Sequence, residues 1–329
     1  MTHSRQRHTS RVRLPRARER IFYLLLLFLF AMLLRNSEEA VESVKTGLSL
    51  CVRSAIPSLF PFMVLSELLT ESGLGARLGR LLGRPFSRLL ALPPEGCCSL
   101  LMGLGCGFPV GARSAVALYD EGILTKQQLE RILCFCNVPS SAFLINAVGF
   151  ALYGNRRFGI LLYVSCVGGS LAIGTILARL TRTKNTPRST LRHDPKTLSP
   201  STFTKAVSSA TAAMLSVCAY VVFFSSVIGC LSYALAPLSL PAEFKALIYG
   251  SLEMTSGTVA ASMLQSPKAS AILCAFLVGF GGFSIHFQLL SFCEGRDLRL
   301  VPCLLSKLAL GVLCAVITAT ALTIAPDLI

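Results

Sequence analysis

Nine apolar segments govern what this chain can become: residues 21–34, 47–69, 96–118, 132–153, 158–180, 207–235, 244–264, 269–292 and 301–324. Most reach the roughly 20 residues that a helix needs to cross a bilayer core of about 30 Å. Only 14% of the residues are charged, against about 25% in a soluble domain. With 53% hydrophobic residues the chain is also too apolar to stay disordered. The class that remains is all-α: a polytopic helical membrane protein.

The formal net charge of +15 then reads as topology. Seven arginines crowd residues 1–20, and Arg182, Lys184, Arg188, Arg192, Lys196 and Lys205 fill a polar linker. Basic runs beside apolar spans mark the cytoplasmic side. No aromatic residues interleave with them, so nucleic acid is not an expected partner. The 13 cysteines form no CxxC pair, and most sit inside apolar runs as small hydrophobes. Neither a metal nor a cofactor is expected. No catalytic triad order, HExxH or phosphate loop is present, so an enzyme is not expected either.

Two segments are poor simple spans. Residues 96–118 and 244–264 each have a polar, glycine-rich centre between two apolar arms. An arm of about ten residues covers ~15 Å, half the membrane, so each segment is expected to be a re-entrant hairpin. Irregular backbone at that depth must line protein or a water-filled cavity. If 96–118 re-enters, the linker falls on the cytoplasmic side with the tail, as the positive-inside rule favours. The acidic stretch Glu38–Glu42 is then an outer loop.

The pattern span, hairpin, span, span occurs twice and in opposite orientation. The expected organisation is a basic cytoplasmic tail (1–20), a first transmembrane helix and outer loop (21–46), a repeat (47–180), a basic cytoplasmic linker (181–206) and an inverted repeat (207–329). Inverted repeats with broken helices are characteristic of secondary transporters.

Four polar motifs are candidates for the site. Gly107, Pro109, Gly111 and Arg113 occupy the first hairpin centre, where exposed backbone groups and a helix N-terminus can hold an anion; tight helix packing is the alternative. Asn137, Pro139, Ser140 and Ser141 interrupt the next segment, as substrate ligands or as a proline kink. Glu253, Thr255, Ser256 and Gly257 form the second hairpin centre. Glu253 is a carboxylate in an apolar run, fit for proton coupling, for pairing with Arg113, or for a plain position at the hairpin mouth. Ser284, His286 and Gln288 follow the Gly281-Gly282 break, with His286 a second candidate for ion coupling. Lys307, near the start of the last span, is expected to snorkel to the interface.

These motifs, in the order Leu104–Arg113, Phe135–Ser140, Glu253–Gly257 and Gly281–Gln288, resemble the sporulation integral membrane protein YlbJ family. That family groups with nucleoside-recognition gate-domain proteins and is distantly similar to concentrative nucleoside transporters. Its members typically carry Tyr where Phe108 stands and Lys where Arg113 stands. The resemblance implies a role in endospore formation. It implies movement of dipicolinate, a small planar dianion, from the mother cell across the outer forespore membrane. Arg113 would then be the carboxylate partner. The expected partners are the bilayer, a small anionic substrate, a coupling proton or sodium ion, and further copies of the chain. A nucleoside transporter and a non-transporting scaffold for spore assembly are the competing readings.

Overall fold

A computed structural model describes residues 16–72, 81, 84–181 and 199–329. The basic tail before Arg16 and most of the linker lie outside the described residues. Among the described residues every regular element is helical. Four helices are long and apolar enough to cross a membrane: Arg156–Leu180, Pro200–Leu235, the pair within Pro267–Phe292, and Val301–Ile324. A fifth candidate is a pair of helices bent by 94° between Arg35 and Ser37. The first member of that pair, Arg16–Arg35, exposes Phe22, Leu24 and Leu27 to 60% or more. A soluble surface does not sustain such a stripe, whereas lipid does.

Several expectations on the elements are corrected. Glu38–Glu42 is not a loop but part of the helix Ser37–Leu50. Glu38 and Glu39 sit in its first turn, where the helix dipole favours acids, and Lys45 pairs with Glu42 at 3.0 Å. The helix continues through a π-wound turn, Cys51–Ala55, into Ile56–Glu71. Pro57 has no N–H to give the carbonyl of Arg53, and the wider turn absorbs the mismatch. Residues 132–153 are not one span. The amphipathic helix Lys126–Leu133 ends, residues 134–140 are non-helical, and a π-wound helix covers Phe143–Leu152. Pro139 does more than kink, because it also excludes Val138 from helical conformation. The polar linker stops short of 206, since Pro200 already opens the long helix behind a Ser199–Thr202 capping box.

The two glycine-rich segments are helix–break–helix units. Gly96–Cys106 and Val110–Asp120 flank Gly107-Phe108-Pro109, slightly beyond the expected 96–118. Ala242–Leu252 and Met254–Ser262 flank Glu253, within two residues of the expected 244–264. Glycines let each pair close up. A Cβ on Gly111 would lie 2.5 Å from the carbonyl oxygen of Cys136 and 2.7 Å from Gly103 Cα. A Cβ on Gly257 would collide with the backbone of Gly250 in the partner helix.

Polar contacts gather the chain at two opposite ends. At one, Arg296 pairs with Asp120 at 2.6 Å, Arg299 with Glu130 at 3.1 Å and Lys126 with Asp297 at 3.0 Å. The Asp120 hydrogen bonds also hold the Arg296 guanidinium above its ordinary range. Arg131 bonds the Ala91 carbonyl there, so the first helix pair starts and finishes at the same end. At the other end Tyr153 Oη lies 2.8 Å from Ser270 Oγ, and Ser270 donates to the Ala261 carbonyl. Pro241 and Phe244 line a groove with Ala269 there, so the second helix pair also starts and finishes at one end.

Candidate functional site

The tips of the two helix pairs meet a cavity of about 70 Å³. Phe108, Pro139, Ser140 and Phe143 line it from the first half, and Glu253, Thr255, Ser284, Ile285 and Gln288 from the second. Leu50, Cys51, Ala55 and Leu59 beside the π turn, and Val217 and Val221 of the long helix, complete the wall. The lining is apolar and aromatic, with a few convergent hydroxyl and amide groups and the Glu253 carboxylate, which is the usual make-up of a small-molecule site.

Each break exists for a local reason. Gly107 adopts φ +85°, open to glycine and strained for other residues, and a Cβ there would meet Ser140 N at 2.6 Å. The next helix opens at Val110, and its N-terminal Ala112 N–H donates to Asn137 Oδ1 at 3.1 Å. Asn137 is therefore a cap supplied from the non-helical stretch. Glu253 caps its own helix: its carboxylate accepts from Thr255 N at 2.9 Å and Ser256 N at 2.7 Å. The third break has Gly281 at φ +88° and Gly282 at φ +75°, which turns the helix Gly282–Phe292 so that Ser284 and Gln288 face the cavity.

Of the residues expected at the site, Pro139, Ser140, Glu253, Thr255, Ser284 and Gln288 line this cavity. Gly107, Gly111 and Gly257 serve close backbone approach. Ser256 offers its N–H to Glu253, and Ser141 stands in the turn leading to Phe143. Pro109, Asn137 and His286 line a second, smaller cavity of about 10 Å³.

The expected Arg113–Glu253 pair is not formed. Arg113 reaches Glu67 at 2.7 Å and Ser209 Oγ at 2.8 Å, and lines a separate pocket with both Met63 and Ser66. Glu67 lies near the end of the helix Ile56–Glu71, within reach of the cation. Glu253, only 2% exposed, spends its charge on helix N–H groups instead. The expectation for Lys307 is corrected as well. It does not snorkel: it is 2% exposed, and its Nζ has no hydrogen-bond partner among the described residues. The centroid of the Phe108 ring stands 5.0 Å from Nζ. His286 Nε2 is likewise unpartnered, and its ring lies 5.0 Å from that of Phe280.

The family model described as "Gate: Nucleoside recognition" matches residues 52–233, which include the first helix pair and all but the first residue of the π turn. The chain belongs to this family. It is also 30% identical over 324 residues to the sporulation integral membrane protein YlbJ of Bacillus subtilis (strain 168), covering 88% of this chain and 79% of that protein. No solved structure matches. This gate-family chain is an integral membrane protein, as its relative and its apolar helices agree. Sequence reasoning passed over Phe143, Val217 and Val221 in the cavity wall and Glu67, and it misplaced Lys307. Glu67 and Lys307 had a readable signal, since each is a charge inside an apolar run.

Proposed function

We propose that this gate-family protein is a secondary transporter acting in spore formation, and that it carries a small planar aromatic dicarboxylate of the dipicolinate type out of the mother cell across the outer forespore membrane. The observation that carries this reading is the cavity enclosed between the breaks of both helix pairs. Phe108 and Phe143 offer ring faces to it, which suits an aromatic solute. The similarity to a sporulation integral membrane protein supports the biological setting.

In this reading both helix pairs are re-entrant and the two halves are inverted repeats. What supports it is that each pair starts and finishes at one end of the molecule, the first at the Asp120 end and the second at the Ser270 end. Substrate sites at broken helices between inverted halves are the general plan of secondary transporters. Movement would come from one half rocking against the other around the cavity, with a proton or sodium ion as the coupling species.

A nucleoside is the second reading. The groups on the main cavity wall favour it: Ser140, Thr255, Ser284 and Gln288 are neutral hydrogen-bonding residues, and none of the lining residues is a cation. Uptake of labelled dipicolinate into proteoliposomes holding the full chain, with uridine as competitor, separates the two. Dipicolinate uptake that uridine leaves untouched is the expected result. Uridine uptake alone would replace the substrate. Folded protein that moves neither solute under proton or sodium gradients would sink transport and favour a scaffold role in spore assembly.

A further inference from the structure

Among the described residues, Lys307 is the buried charged side chain left without a counter-charge. An ammonium buried this deeply costs several kcal/mol unless a partner neutralises it. Every other buried charge described here has a partner: Arg113 has Glu67, Glu130 has Arg299, Arg131 has carbonyl and hydroxyl acceptors, and Glu253 has two N–H groups. The ionisable groups close enough to act on Lys307 are His286 and the thiols of Cys136, Cys166, Cys303 and Cys314, with Cys134 further along the same chain. No carboxylate is among them. The small cavity that Lys307 lines also holds His286 Nε2, again without a partner, and the side chain of Asn137, whose oxygen is already used. That leaves the amide –NH2 of Asn137 as a donor. The surroundings thus offer positive charge and N–H donors and lack an anion.

The position of this cluster gives it a use. Phe108 and Ile285 line both the small cavity and the main one, so they form the wall between them. The ring of Phe108 stands in cation–π contact with the ammonium, a weaker partner than a carboxylate. We propose that Lys307 is the anion-selecting residue of the transport site: a carboxylate of the solute in the main cavity takes the place of the Phe108 ring against the Lys307 ammonium, with the Asn137 amide beside it. This rests on the transport reading for the identity of the main cavity. It moves anion recognition from Arg113 to a lysine in the last helix.

The test compares two probes of one shape, pyridine-2,6-dicarboxylate and its uncharged diamide, by calorimetric binding to the full chain in lipid nanodiscs. Wild type should prefer the diacid. Lys307→Met should lose about tenfold or more in affinity for the diacid and keep its affinity for the diamide. Equal loss of both ligands would mean that Lys307 only shapes the packing, and an unchanged diacid affinity would remove it from the site. Either overturns the proposal, as does a wild type that prefers the diamide. Should Lys307→Met not fold, Lys307→Gln serves: a neutral side chain of similar length should cost the diacid its advantage and leave the diamide alone, and no change in the diacid overturns the proposal. Diacid binding that depends on Lys307, in a protein that moves no solute in proteoliposomes, would sink transport and keep the site. Uridine uptake with no diacid binding would do the reverse.

Discussion

The two helix pairs solve one problem in different ways. Each must open a helix in the middle of an apolar region and satisfy the N–H groups thereby exposed. The first pair borrows its acceptor: Asn137, 25 residues away in sequence, caps Ala112 N–H. The second pair supplies its own, because Glu253 folds back onto Thr255 and Ser256. Their charges differ in the same sense. The cation of the first pair, Arg113, is neutralised from another helix by Glu67, while the acid of the second is neutralised by the helix it begins. So the charges that stand out in the two helix pairs are already spent on the fold. The spare charge is Lys307, which lies in neither pair.

This contrast predicts a steep effect in the second pair. Glu253→Ala removes two charge-assisted bonds from a buried carboxylate and should cost about 3 kcal/mol, read as a loss in thermal or denaturant stability of the solubilised protein. Glu253→Gln keeps one acceptor and should cost less than half of that. If Glu253→Gln instead keeps full stability and abolishes uptake, Glu253 is a coupling residue and its capping role is incidental. In the first pair, Asn137→Ala leaves one buried N–H unpaired and should cost about 1–2 kcal/mol. Asn137→Asp retains the acceptor and should recover most of it. A cost for Asn137→Ala equal to that of Glu253→Ala would erase the difference between local and borrowed caps.

The legibility of the chain follows the same division. The breaks at Gly107–Pro109, Glu253 and Gly281 were readable because glycine, proline and an acid at a helix start act within a few residues. Helix-pair limits came within about two residues for the same reason. The cavity residues Ser140, Thr255, Ser284 and Gln288 were readable as polar side chains next to breaks. What failed was long-range. The partner of Arg113 was sought by repeat symmetry in Glu253, whereas packing of the helix Ile56–Glu71 delivered Glu67. Lys307 was placed at the interface by its distance from the segment start. Its depth is set by the neighbours that bury Val301–Ile324, chiefly the helices Pro267–Phe280 and Arg156–Leu180. The continuous span assumed for 132–153 failed because apolar content says nothing about whether Pro139 bends a helix or ends it.

The matched cation should behave unlike the spare one. Arg113 and Glu67 are each about one-fifth exposed, so solvent screens the pair, and Arg113→Gln should cost no more than about 1 kcal/mol. The double change with Glu67→Gln should return most of that, since it removes both charges together. Affinity for the dicarboxylate should stay within about twofold in both variants, against the tenfold expected for Lys307→Met. A large loss of dicarboxylate affinity in Arg113→Gln, with stability intact, would hand anion recognition back to the first pair.

The smallest effect is expected at the end of the molecule that carries the exposed ion pairs. Arg296 and Asp120 pair at 2.6 Å, but Asp120 is 47% exposed and Arg299, opposite Glu130, is 77% exposed. Exposed pairs contribute about 0–1 kcal/mol and fade with salt, because charges beyond ~10 Å are screened at 0.1 M. Arg296→Ala should therefore change stability by about 0.5 kcal/mol at low salt and by less at high salt. These contacts join the first half, through Asp120, Lys126 and Glu130, to the second, through Arg296, Asp297 and Arg299. If the halves rock against each other during transport, weak pairs of this kind are what motion can break and remake. Arg296→Ala should then leave affinity for the solute unchanged and alter the rate of uptake in a salt-dependent way. A rate independent of both the substitution and the salt would place the moving boundary elsewhere than at this end.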